Sequence, residues 1–130
     1  MIIAIGDNSH ELKTNLGIAK KIERVFNLSL NQMFSNLDTA TTEELMKLLA
    51  VAAGKYPGDK DGYRDFCRDL EEVWGVARLQ MAVGELIAHL MFSGTPEEME
   101  RQIQKTEIPD AKKNELRELL GLPIVELDEE

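Results

Sequence analysis

The sequence predicts a mostly α-helical, small single-domain protein of five or six helices with a short N-terminal β-strand. Three observations predict it. Apolar residues recur in stripes: Ile22, Val25 and Phe26; then Leu30, Met33, Phe34 and Leu37; then Leu45, Leu48, Leu49 and Ala52. Spacing of i, i+3, i+4 and i+7 brings side chains onto one helix face. Residues that start and stop helices bracket each stripe. Finally, a chain of 130 residues has room for one core and needs no second domain. Residues 1–126 are therefore expected to form one helical domain, and the acidic residues 127–130 a disordered tail.

The elements follow in order. Ile2, Ile3, Ala4 and Ile5 are β-prone and end at the turn cluster Gly6-Asp7-Asn8. A lone strand must place its backbone hydrogen bonds somewhere. The only other β-prone stretch, residues 123–127, is the expected internal partner. Failing that, Ile2, Ile3 and Ile5 form an oligomer edge that another subunit extends. The first helix is expected from Leu12 or Thr14 to Phe26, stopping near Asn27. Ser29 with Gln32 has the capping-box spacing and opens a short helix ending near Leu37-Asp38. Thr41 with Glu44 repeats that spacing before the Leu-rich helix, which Gly54 closes.

Tyr56-Pro57-Gly58-Asp59 is the clearest turn. Beyond it lies the longest helical region, residues 61–92, with Tyr63, Phe66, Leu70, Val73, Trp74 and Ala77 on one face and Val83, Leu86, Ile87 and Leu90 continuing the apolar character. Gly75 and Gly84 each cost about 1 kcal/mol relative to alanine in a helix interior, so a break or a bend is expected near Gly75. Thr95-Pro96-Glu97-Glu98 is a strong helix start. A final helix runs from Asp110 to Leu120 and closes at Gly121.

Charge bounds the partners. A formal net charge of −9 opposes binding to nucleic acid or to an anionic membrane surface. The single cysteine, Cys67, cannot form an internal disulfide. The leading residues lack a basic segment followed by a long apolar run, and Arg78, Gln80, Glu85 and His89 interrupt the most apolar window, residues 73–92. A cytosolic protein is expected.

No constellation of residues points to catalysis, and no cofactor or metal is expected. In the segment Asp59-Lys60-Asp61-Gly62 the glycine stands fourth, not sixth as a calcium loop needs, so an Asp-capped helix is the better reading. His10, His89 and Cys67 stand at no metal-ligand spacing; His10 is expected in the leading loop, His89 on a helix flank and Cys67 in apolar packing. The carboxylates at Glu71-Glu72 and Glu97-Glu98-Glu100 read as solvated faces, and the glycines form no phosphate-binding motif. Met33, Phe34, Met46, Met81, Met91 and Phe92 could line an adaptable groove. Core positions are expected for most, with Met91 and Phe92, at a helix end, as the expected partner-binding residues.

The first 54 residues resemble the tail assembly chaperones of long-tailed, non-contractile-tail bacteriophages. The likeness is carried by Ile22-Glu23-x-x-Phe26-x-x-Ser29-Leu30, the Met33-Phe34-x-x-Leu37 helix and Thr41-x-Glu43-Glu44-Leu45-x-x-Leu48-Leu49. Such proteins bind the tape measure protein and keep it soluble until tail tube protein polymerises around it. They are absent from the mature virion. The resemblance thus implies a non-enzymatic role in the host cell cytoplasm, with the tape measure protein as partner, the tail tube protein as a further one, and self-association that multiplies weak contacts along a long client. Two rival readings are a helical DNA-binding regulator, against which the charge counts, and an acidic adaptor or inhibitor that mimics nucleic acid.

Overall fold

The computed structural model describes residues 1–126; the acidic tail expected at 127–130 lies outside the described residues. Gly6 adopts φ 62°, the conformation that a two-residue hairpin turn beginning with glycine requires. Through it β1 (Ile2–Ile5) folds back antiparallel on β2 (Asn8–Glu11), with Ile3 opposite His10 and Ile5 opposite Asn8. Met1 and Leu12 exchange two further bonds, Leu12 N–H to Met1 C=O at 2.7 Å and the N-terminal ammonium to Leu12 C=O at 3.1 Å.

The strand therefore finds its partner within the chain, in the polar run Asn-Ser-His-Glu, and not in residues 123–127. Those between 122 and 126 have no regular secondary structure. The side chains of Ile3 and Ile5 point into the core, and Ile2 alone of the three is exposed, at 73%. The ladder alternates, which turns the backbone groups of Ile2 and Ala4 outward. The Ala4 carbonyl already accepts from Trp74 Nε1 at 3.3 Å.

Seven α-helices follow among the described residues, and the protein is a small, mostly α domain. α1 (Leu16–Phe26) starts later than expected: Asn15 caps it by accepting from the Ile18 N–H, while Leu12 belongs to the hairpin exit and is buried. Asn27, at φ 55°, ends it. α2 (Leu30–Ser35) has the full capping box of Ser29 and Gln32, and a 3-10 turn (Leu37–Thr39) follows. Thr41 caps α3 (Thr42–Ala52) by accepting from Glu44 N–H. At its end Gly54 takes φ 77°, and the N–H groups of Lys55 and Gly54 return to the carbonyls of Ala50 and Val51. These two bonds satisfy carbonyls that a helix end leaves without partners.

The region 61–92 divides. α4 (Lys60–Val73) and α5 (Val76–Met91) are separated by Trp74 and Gly75, both extended. That division takes the helix count above the five or six expected. α6 (Pro96–Lys105) begins at the Thr95 cap, and α7 (Asp110–Leu119) closes at Gly121.

α3 and α5 form the centre. Leu48, Leu49, Ala50, Val51 and Ala52 are buried in succession, and α5 buries Leu79, Ala82, Val83, Gly84, Leu86, Ile87, Ala88 and Leu90. Helices apolar on most sides are covered on most sides. α1 and α4 pack on α3; α2, the 3-10 turn and α7 pack on α5; the hairpin packs on α4 and α6 on α7. Each large aliphatic side chain removed from water here contributes about 1.5–3 kcal/mol. Among the described residues no helix is long and apolar enough to cross a membrane.

Candidate partner-binding groove

An apolar groove of about 410 Å³ lies between the 3-10 turn, α5 and α7. α5 supplies Ala77, Met81 and Gly84, which fall at i, i+4 and i+7 and so form one stripe. Leu119 of α7 and Leu37 of the 3-10 turn face each other across Gly84: a Cβ placed there would meet a methyl of each at 3.4 Å. Phe34, itself buried, forms one end. Met81 lies open at the mouth, 56% exposed.

The rim is acidic. Glu85 rises from α5, Glu115 and Glu118 from α7. Lys112 occupies the Phe34 end, with its Nζ 5.6 Å above the ring, 3.3 Å from Glu115 Oε2 and 3.9 Å from Asp38 Oδ2. Among the described residues neither Glu85 nor Glu118 forms an ion pair.

α7, the outer wall, is fixed by a polar clasp. Arg117, 5% exposed, donates from Nε to both carboxylate oxygens of Glu100 at 2.6 and 3.1 Å, and from Nη1 to Asn114 Oδ1 at 2.9 Å. Asn114 in turn binds the backbone of Val125 through both ends of its amide, accepting at 3.0 Å and donating at 2.8 Å. Two smaller concavities exist. One, of about 240 Å³, lies behind Leu37 among Phe26, Met33, Leu45 and Ile87. The other, of about 220 Å³, lies between Met46 of α3 and the Trp74-Gly75 junction.

The residues expected to meet a partner are placed elsewhere. Phe92 is 4% exposed; its N–H closes α5 on Ala88 C=O and its side chain turns into the core. Met91 is half-buried against that core. The exposed side chain expected at this helix end is thus not Phe92, and Met91 is only partly open to water. Met33 and Phe34 are buried and Met46 half-buried, as core positions, while Met81 is the exposed methionine.

Of the groups considered for chemistry, His10 sits on β2 and not in a loop. Its ring stands edge-on to Phe66 at 5.2 Å, and its buried Nε2 has no hydrogen-bond partner among the described residues. Burial pushes the Cys67 thiol up, an effect partly offset by its hydrogen bond with Tyr63 and reinforced by Glu71 and Glu43. The thiol is thus protonated near neutral pH and a weak nucleophile. Asp59 accepts from the Gly62 N–H and caps α4.

Comparison with protein-family models, curated proteins and solved structures finds no match of any of the three kinds.

Proposed function

We propose that this protein is a tail assembly chaperone of a long-tailed, non-contractile-tail bacteriophage, and that it keeps a tape measure protein soluble by seating one of its apolar helical segments in the groove between α5, α7 and the 3-10 turn. The observation that carries this reading is the groove itself: an apolar floor of Leu37, Gly84 and Leu119, an exposed Met81 and an acidic rim. A holdase needs spare apolar surface for its client and charge that keeps the complex in solution. A helix laid into an apolar groove is a recurring mode of peptide recognition, and methionine adapts to varied client side chains. The resemblance of the first 54 residues supports the same reading, and two residues of its motif, Ser29 and Thr41, cap α2 and α3. In this role the protein acts in the host cytoplasm, several copies line one client, and the client passes to tail tube protein before the tail is complete.

The test is co-expression with the tape measure protein of the same genome, scoring how much of that protein remains soluble and co-purifies. Soluble, co-eluting tape measure protein is the expected result. Met81→Glu, a change at an exposed position, is expected to abolish solubilisation while leaving helicity intact. A client that precipitates equally with and without this protein overturns the proposal.

A further inference from the structure

We infer that the segment seated in the groove is a cationic amphipathic helix, its apolar face flanked by lysine or arginine that pair with Glu85 and Glu118. The inference rests on reading the groove as the client site and adds the chemistry of the client.

Each acidic group around α7 shows what it requires. Glu100 is satisfied by Arg117 and Glu115 by Lys112, both within the chain. Glu85 and Glu118 stand on opposite walls, and among the described residues no cation reaches either. Lys112 shows at the Phe34 end what the remainder of the rim lacks: an ammonium above an apolar floor, paired to a wall carboxylate. A second helix in the groove would place its own apolar stripe on Ala77, Met81 and Leu119. The residues beside that stripe would then lie over Glu85 on one wall and Glu118 on the other, as flanking charges do in helix pairs. A neutral or acidic flank would instead leave two carboxylates partly desolvated without a partner. The volume of about 410 Å³ takes side chains from one helix face, since a whole helix is about 10–12 Å across.

The experiment uses three synthetic helical peptides with one common leucine-alanine face and flanks of lysine, glutamine or glutamate. Binding to the full chain is followed by fluorescence anisotropy at low and at high salt. The lysine-flanked peptide should bind about fivefold to tenfold more tightly than the glutamate-flanked one, the effect of two partly exposed charge pairs. The gap should close at high salt. Glu85→Gln with Glu118→Gln should remove it. Glu72→Gln with Glu97→Gln, exposed positions that do not line the groove, changes the net charge equally and should leave it in place.

Equal binding of all three peptides, lost in Met81→Glu, overturns the inference and leaves the groove as an apolar client site. A lysine preference that responds equally to both glutamine pairs overturns it as well, because bulk charge then explains the preference. Binding indifferent to Met81→Glu, or no binding of any peptide, removes the inference and the groove reading together.

Discussion

The clasp on α7 makes an asymmetric prediction. Arg117 is almost fully enclosed, whereas Glu100 retains 27% side-chain exposure. Glu100→Ala would leave the Arg117 guanidinium buried with only Asn114 Oδ1 as partner. Removing one member of a buried pair costs about 3–5 kcal/mol, because the other charge is left uncompensated. Arg117→Met leaves a carboxylate that can turn to water and fills most of the vacated volume, so about 1–2 kcal/mol is expected, chiefly from lost hydrogen bonds. The double variant Glu100→Leu/Arg117→Met should fall within about 1 kcal/mol of the parent, since an apolar replacement of both partners avoids the desolvation cost. Against a typical total stability of about 5–15 kcal/mol these differences are large. Urea unfolding followed by circular dichroism, with a common slope for all variants, measures them. Hydrogen exchange should show α7 opening first in Glu100→Ala, because the buried clasp joins it to α6, leaving the Lys113 Nζ bond to the Gln104 carbonyl and apolar packing. The reasoning is refuted if Arg117→Met is the more damaging single change, or if the double variant is as unstable as Glu100→Ala.

Three further outcomes are expected. Gly84→Ala gains about 1 kcal/mol of helix propensity, and its methyl meets only side-chain methyls of Leu37 and Leu119 at 3.4 Å, so net stabilisation of about 0.5–1 kcal/mol should appear in thermal unfolding; a loss would mean that the two leucines cannot give way. His10→Phe keeps the edge-on contact with Phe66 and removes an unpartnered buried nitrogen, so urea unfolding should show stability rising by about 1 kcal/mol; a fall would show that Nε2 is satisfied in solution. The Tyr63 phenol is pushed up to about 12, first by burial and then by the Cys67 thiol beside it. A folded value above the unfolded one favours the neutral phenol, so its stabilising contribution is complete below about pH 10 and disappears as pH rises through about 12. An ultraviolet titration should therefore lose its step near pH 12 in Tyr63→Phe, and a Tyr63 step near 10 would sink the assignment.

Most of the helical framework was legible because its signals are local. Ser29 with Gln32, Thr41 with Glu44, Gly54, Thr95-Pro96 and Gly121 lie within one helical turn of the ends they define, and each acts there. Gly75 was legible as a weak point, but only packing decides between a bend and a break. Here the extended Trp74 breaks the helix, its indole committed to Ala4 and its ring face to Arg78 at 4.7 Å. The second strand was not legible. Asn8, Ser9, His10 and Glu11 have low strand propensity and one face exposed to water, so composition argues against them. The turn at Gly6 and the burial of Ile3, Ile5 and Leu12 select the pairing instead. A two-residue turn followed by four polar residues and a buried leucine is a hairpin signal that β-propensity alone overlooks.

The groove was illegible for a different reason: the sequence shows which side chains share a face, but not which faces lack a neighbour. α5 has one stripe at Val83, Leu86, Ile87 and Leu90, which is core, and a second at Ala77, Met81 and Gly84. By residue type Met81 belongs in the core. Leu119, at the end of α7, meets α5 at Gly84, whereas Ala77 and Met81 in the turns before it are exposed. An uncovered apolar stretch on the same face as a covered one is where an added helix meets least resistance, since the covered part already fixes the depth of approach. The occupant therefore enters beside Leu119 and extends toward the N-terminus of α5, past Met81 and the exposed Ala77. Charge on Ala77 should then weaken client binding as charge on Met81 does, whereas charge on Leu16, also exposed but on α1, should not. Equal losses from Ala77→Glu and Leu16→Glu, measured by peptide anisotropy, would place the client on a broader surface than this groove.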